Sequence, residues 1–155
     1  MEPSSVPGLV AIDHVGIAVP DLDTAIAFHT DVLGLELVHR EVNREQGVAE
    51  AMLAAPDAAG GTRLQLLAPL TEQSTIARFL DRSGPGLQQL AYRVEDIVHA
   101  TSVLRGKGLR LLYDAARTGT EGSLINFVHP KDTGGVLIEL VQAAAADERT
   151  EARHS

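Results

Sequence analysis

Cysteine and tryptophan are both absent from this chain of 155 residues. Without cysteine there is no disulfide framework, no thiolate nucleophile and no thiolate-bound zinc. Aromatic residues make up 3% of the chain, as Phe28, Phe79, Tyr92, Tyr113 and Phe127, too few for a base-stacking platform. A formal charge of −8 argues against general nucleic-acid binding, which needs a basic surface to displace counterions. It leaves room for a small anion held by a few local cations. No apolar run approaches the roughly 18 residues that span a bilayer. The start, Met1 to Ser5, lacks the basic residues and apolar stretch of a signal peptide. The expectation is a cytoplasmic protein with neither nucleic acid nor membrane as partner.

What is present is ordinary in bulk, 45% hydrophobic and 22% charged, and enough for one packed domain or two small modules sharing a core. The informative feature is a repeat. Ile12-Asp13-His14-Val15-Gly16-Ile17-Ala18-Val19 leads into Asp21-Leu22 and a helical pattern, and Leu87-Gln88-Gln89-Leu90-Ala91-Tyr92-Arg93-Val94 leads into Asp96-Ile97 in the same way. His14 aligns with Gln89 at an offset of 75 residues, and Gln65 aligns with Glu139 at an offset of 74. Four side chains able to bind a metal thus fall at two pairs of repeat-equivalent positions. If the copies pack about a pseudo-two-fold axis, all four converge.

Periodicity and punctuation predict the elements. Strand patterns cover 11–19, the stretch beginning at Leu35, 48–53 and 62–67, with a helix from the Asp21 cap to about Leu33, stopped by Gly34. Ser74 caps a short connecting helix through Leu80. The order then restarts, with a strand at 87–94, a helix from Asp96 to Leu104, and strands at 109–113, 124–128 and 136–141. The prediction is an α+β fold of two βαβββ modules, at about 11–70 and 86–142, joined by a connector at 71–85. Together they form a half-open, eight-stranded, barrel-like sheet with helices outside. Residues 1–10 and 143–155 read as flexible tails.

Several polar residues break the core pattern. Glu139 shares a strand face with Leu137 and Val141, while Ile138 and Leu140 fill the other. Burying an unpaired charge costs several kcal/mol, so Glu139 either has a partner or sits on an open face near the rim. His14 shares its face with Gly16 and Ala18, which leaves it room, yet a lone strand histidine is more often a hydrogen-bonded core or edge residue. Gln65 and Gln89 are weaker signals still. Gln88 is expected to point away from Gln89, and Glu50 reads as an ordinary exposed strand residue.

The stretches Ile12–Ala18, Glu45–Met52, Leu64–Leu70, Ile125–Asp132 and Gly135–Leu140 make the chain resemble the vicinal oxygen chelate (glyoxalase-like) superfamily and, within it, the methylmalonyl-CoA epimerases. The resemblance covers nearly all of residues 11–142 and implies a single domain of that type. It implies metal ligation by His14, Gln65, Gln89 and Glu139, and proton abstraction by Glu50, with Glu139 the candidate second acid. The implied ion is one divalent metal, Co²⁺ foremost, with Mn²⁺, Mg²⁺, Ni²⁺ or Zn²⁺ as alternatives. The implied reaction interconverts the (2R) and (2S) epimers of methylmalonyl-CoA through a metal-stabilised enolate, in a homodimer. The chain departs from the family at Gln88-Gln89, where two histidines are common. A glyoxalase-like isomerase or lyase, or a non-catalytic drug-sequestering protein of the same superfamily, are the rival readings. Arg117 and Lys131 are candidate phosphate contacts or solvated surface charges.

Overall fold

The computed structural model describes residues 5–57 and 60–145. In chain order the elements are β1 (Leu9–Ala18), α1 (Leu22–Ala27), β2 (Glu36–Asn43), β3 (Val48–Ala54), β4 (Arg63–Pro69), α2 (Thr75–Ser83), β5 (Gly86–Val94), α3 (Ile97–Gly106), β6 (Arg117–Thr118), β7 (Leu124–Val128) and β8 (Leu137–Gln142). The eight strands form one sheet in the order β2-β3-β4-β1-β5-β8-β7-β6. Each half reads as the mirror of the other. β1 runs parallel to β4, β5 runs parallel to β8, and the halves meet along an antiparallel β1–β5 seam.

The helix caps repeat as well. Asp21 accepts from the Thr24 amide at 2.9 Å and Asp96 from the His99 amide at 3.0 Å, each satisfying a donor that the first helical turn leaves unpaired. After Ala27 the first helix widens into a π-type turn over Phe28–Val32. On the outer sheet face, one core gathers Val19, Leu22, Ala51, Leu53, Leu66 and Ala68 under α1. Its counterpart gathers Val94, Ile97, Ala100, Leu104, Val128 and Leu140 under α3. The connecting α2 instead sets Ile76 against Ala18, Val48 and Leu67. By strand alternation those three share a face with His14, Glu50 and Gln65, so α2 closes one end of the concave side.

The expected strand at 109–113 is corrected to a single bridge, Leu111 to Val128. The Asn126 side chain takes both the N–H and the C=O of Tyr113, at 3.1 and 3.0 Å, so backbone pairing stops there. The chain rejoins β7 only at the two-residue β6. Residues 9 and 10, placed in the expected tail, belong to β1, and Val6 packs on the α3 core. The expected tails at residues 1–4 and 146–155 lie outside the described residues. Among the described residues no helix is long and apolar enough to cross a membrane.

Arg110 and Asp132 fasten the 110–113 segment to the turn after β7. The guanidinium donates to both carboxylate oxygens at 3.0 and 3.1 Å, and the Arg110 amide adds a bond of 2.9 Å. These bonds hold the Asp132 carboxyl down at about 2, against an ordinary value of 3.8. A depressed carboxylate stabilises the fold above the unfolded pKa and loses that contribution as pH falls through the folded one. Asp132→Asn is therefore expected to melt slightly lower than wild type at pH 7. In calorimetric melts the gap should close between about pH 4 and pH 2.

Candidate active site

The sheet register explains how the predicted side chains come together. Gly16 on β1 lies between Gln65 on β4 and Gln89 on β5. Ala91 on β5 lies between His14 on β1 and Glu139 on β8. Gly16 and Ala91 are themselves repeat equivalents. Each small residue leaves a gap into which two longer neighbours lean. All four long side chains are buried, at 4 to 7% exposure.

They meet at one point. The Gln89 side-chain nitrogen donates to Glu139 Oε2 at 2.6 Å and to Gln65 Oε1 at 3.1 Å, and lies 3.5 Å from His14 Nε2. Glu139 Oε2 is 3.1 Å from His14 Nε2. Two acceptor oxygens, Gln65 Oε1 and Glu139 Oε2, thus converge with the His14 ring on one amide nitrogen that carries two protons. One imidazole, one carboxylate and two amides are side chains able to ligate a small cation. Among the described residues no three His, Cys, Asp or Glu side chains form a metal-holding group, so the set reaches four members only by counting its amides.

Asp13 orients the imidazole. Its Oδ2 lies 2.7 Å from His14 Nδ1, which leaves Nε2 to face the cluster, as carboxylates do behind ligating histidines. Arg93 donates to Asp13 Oδ1 at 2.7 Å, and Arg63 lies 3.9 Å from Oδ2. Burial raises the Asp13 carboxyl, but its bonds to His14 and Arg93 outweigh this and hold it at about 2. Burial likewise lowers His14, yet bonds to Asp13 and Glu139 carry it up to about 9.

Glu50 is buried as well. The residue is 8% exposed, although its strand pattern alone reads as solvent-facing. Gln65 donates to its Oε2 at 3.1 Å and the Thr120 hydroxyl to its Oε1 at 2.6 Å. Glu41 pairs directly with it across β2–β3. Burial pushes the Glu50 carboxyl up to about 7, the Thr120 bond opposes this, and Glu41 and Glu139 add to the rise.

Glu50, Gln65, Gln89 and Glu139 line a cavity of about 180 Å³ whose other walls include Val48, Leu67, Ile76, Leu112, Ile125 and Phe127. Gln88 lines it too, contrary to its expected outward direction. The β1–β5 register skips from Gly16–Gln89 to Ile17–Leu87, so Gln88 is a bulged residue, and a bulge re-aims its side chain. Its Oε1 is buried with no hydrogen-bond partner. Arg117 stacks over the Tyr113 ring at 3.9 Å, and Tyr113 forms part of the cavity wall. Lys131 sits in the exposed turn after β7 and is not among the residues that line the cavity. Sequence reasoning missed Asp13, Arg93 and Thr120. Asp13 carried one available signal, a carboxylate adjacent to a candidate ligand histidine.

The chain belongs to the Glyoxalase/Bleomycin resistance protein/Dioxygenase superfamily, which its residues 13–127 match. Within that superfamily its similarities include several to epimerases. It is 38% identical over 143 residues to the mitochondrial methylmalonyl-CoA epimerase of Mus musculus, covering 92% of this chain and 78% of the relative. The crystal structure of methylmalonyl-CoA epimerase from Mycobacterium tuberculosis superposes with a TM-score of 0.85 at 53% identity, covering 98% and 97% of the two chains. A methylmalonyl-CoA epimerase in complex with methylmalonyl-CoA and NH₄⁺ gives a TM-score of 0.84 at 45% identity, covering 90% and 98%.

Proposed function

We propose that this protein is a methylmalonyl-CoA epimerase, an isomerase that interconverts the (2R) and (2S) epimers by removing and returning the α-proton. One observation carries the reading. A buried carboxylate, Glu50, sits beside four converging metal-type donors on the wall of a largely apolar cavity. The similarity to a relative in complex with methylmalonyl-CoA supports the substrate class.

His14 through Nε2, Gln65 through Oε1 and Glu139 through Oε2 would hold one divalent cation, and a half-turn of the Gln89 amide adds a fourth oxygen. When bound, that ion supplies a Lewis acid that stabilises the enolate charge. Glu139 is the only anion among the four ligands, so little of that positive charge is neutralised. Glu50 takes the α-proton from one face. A base with a pKa near the working pH combines availability with driving force, and about 7 meets that condition. Thr120 and Gln65 hold its two oxygens and so fix its direction. Glu139 serves as acid and base for the opposite face. Leu67, Ile76 and Phe127 keep water from the reacting carbon, and the unpartnered Gln88 Oε1 can accept from an amide N–H of the coenzyme A arm.

The finer expectations belong to the same proposal. Mixed imidazole and oxygen donors suit small divalent ions, with Co²⁺ placed first and Mn²⁺, Mg²⁺, Ni²⁺ or Zn²⁺ as alternatives. The protein is read as a cytoplasmic homodimer with no nucleic-acid or membrane partner. It is also read as one domain over 11–142, with modules at about 11–70 and 86–142 and a connector at 71–85. The test is exchange of the substrate α-proton in D₂O, followed by NMR with each of the five ions. No exchange with any of them overturns the assignment.

Gln89→His is expected to raise affinity for Co²⁺, Ni²⁺ or Zn²⁺ by roughly tenfold relative to Mn²⁺ or Mg²⁺, the scale on which a site's surroundings tune it. Imidazole nitrogen favours the later first-row metals more than an amide oxygen does. Competitive metal titration of the two proteins checks this. A folded variant with unchanged preference would remove residue 89 from the ligand set.

A further inference from the structure

Between β6 and β7 the chain leaves the second half of the sheet, and residues 119–123 reach across the open side of the half-barrel to the first half. The strap is locally stiff. The Gly119 amide donates to Ser123 O at 2.8 Å, and the Ser123 amide and hydroxyl both donate to Thr120 O, at 3.2 and 2.8 Å. A Cβ at Gly119 would lie 2.7 Å from Ile125 Cγ2, so the tight return admits no side chain there.

Two adjacent residues at its tip grip the first half. The Thr120 hydroxyl donates to Glu50 Oε1 at 2.6 Å. Glu121 Oε2 accepts from Arg63 Nη1 on β4 at 3.1 Å, and its Oε1 lies 3.8 Å from His39 Nδ1 on β2. Glu121 also has a φ of 56°, in the left-handed region that disfavours side chains. A non-glycine residue persists there when its surroundings over-determine it. The plain alternative is a half-exposed ion pair of little consequence. A solvated surface charge, however, gives no reason for a strained backbone next to the residue that touches Glu50.

We propose that Glu121 is a positioning residue. Anchored by Arg63 and His39, it holds the strap so that Thr120 keeps the Glu50 carboxylate aimed into the cavity. This rests on the reading of Glu50 as the proton-abstracting group. Glu50 is held at both oxygens, by Thr120 and by Gln65. Once the Thr120 hydroxyl no longer donates, the carboxylate can turn about its remaining bond to Gln65. Reaction geometry then suffers while substrate binding does not.

Steady-state epimerisation by the metal-loaded 155-residue chain tests this. Thr120→Val is expected to lower kcat about tenfold, with KM changed by less than about twofold, as for removal of a hydrogen bond to a charged group. Glu121→Gly suits the left-handed backbone and should lower kcat by a similar factor with metal content unchanged. Glu121→Gln keeps an oxygen for Arg63 and should recover most of that loss. The double variant Thr120→Val/Glu121→Gly should be no slower than the slower single, because both changes act through the same hydrogen bond. Multiplicative losses, or wild-type kcat in Glu121→Gly beside a slow Thr120→Val, overturn the role of Glu121. An active Glu50→Gln instead shows that the underlying reading is wrong, and the proposal falls with it.

Discussion

Glu50→Gln is expected to cut α-proton exchange by about 10² to 10⁴, the usual cost of losing a general base, while metal uptake is preserved. The amide is nearly the same size as the carboxylate, and both neighbours can still be satisfied. Its oxygen can accept from Gln65, and its NH₂ can donate to the Thr120 hydroxyl, which accepts as readily as it donates. Stability gives a second readout. Burial and the nearby Glu41 and Glu139 all disfavour a charge at this position, so the neutral variant should melt at the same temperature as wild type or higher. Exchange measured by NMR in D₂O decides the matter. A stable variant that exchanges at the wild-type rate would place the base elsewhere.

Glu139→Ala should remove metal retention and turnover together. The change takes away the only anion among the four candidate ligands, and metal affinity should fall by at least roughly tenfold, since even outer-shell losses cost that much. The fold should suffer as well. Glu139 Oε2 is the acceptor for the Gln89 amide at 2.6 Å and lies 3.1 Å from the His14 ring. Removing one member of a buried pair typically costs about 3–5 kcal/mol. The lower end is expected here, because Asp13 still partners His14. Metal analysis after gel filtration, together with melts of the metal-free protein, separates the two effects. A variant that keeps its metal would remove the site as drawn.

Features governed by local alternation were legible from the chain alone. The mirrored strand-helix order follows from repeated apolar patterns and from Asp21 and Asp96, each a cap that acts within its own turn. Glu139 stood out because apolar residues flank it on both faces. What could not be read depends on residues far apart in the chain. Glu50 looks exposed along β3, and is buried because Glu41 on β2 and Thr120, from the other half, cover it. Arg93 reaches Asp13 across 80 residues. The break in the expected 109–113 strand comes from the Asn126 side chain binding Tyr113, an interaction to which apolar periodicity is blind. The bulge that turns Gln88 into the cavity depends on how β5 registers against β1, and register is set between strands rather than within one.

Gly16 bears on which sequence changes this site can accept, and in what order. It faces Gln89 across the seam, and a Cβ there would lie 2.5 Å from Gln89 Cγ, closer than packed atoms tolerate. Any side chain at 16 would force residue 89 to shift, and with it the amide that completes the cluster. Position 89 is thus free to vary its donor only while position 16 stays glycine. In mutational terms Gly16 is permissive, and its own substitution should mask the effect of every change made at 89. Libraries that vary residue 89 to retune metal preference therefore need Gly16 left untouched, or the two positions randomised together.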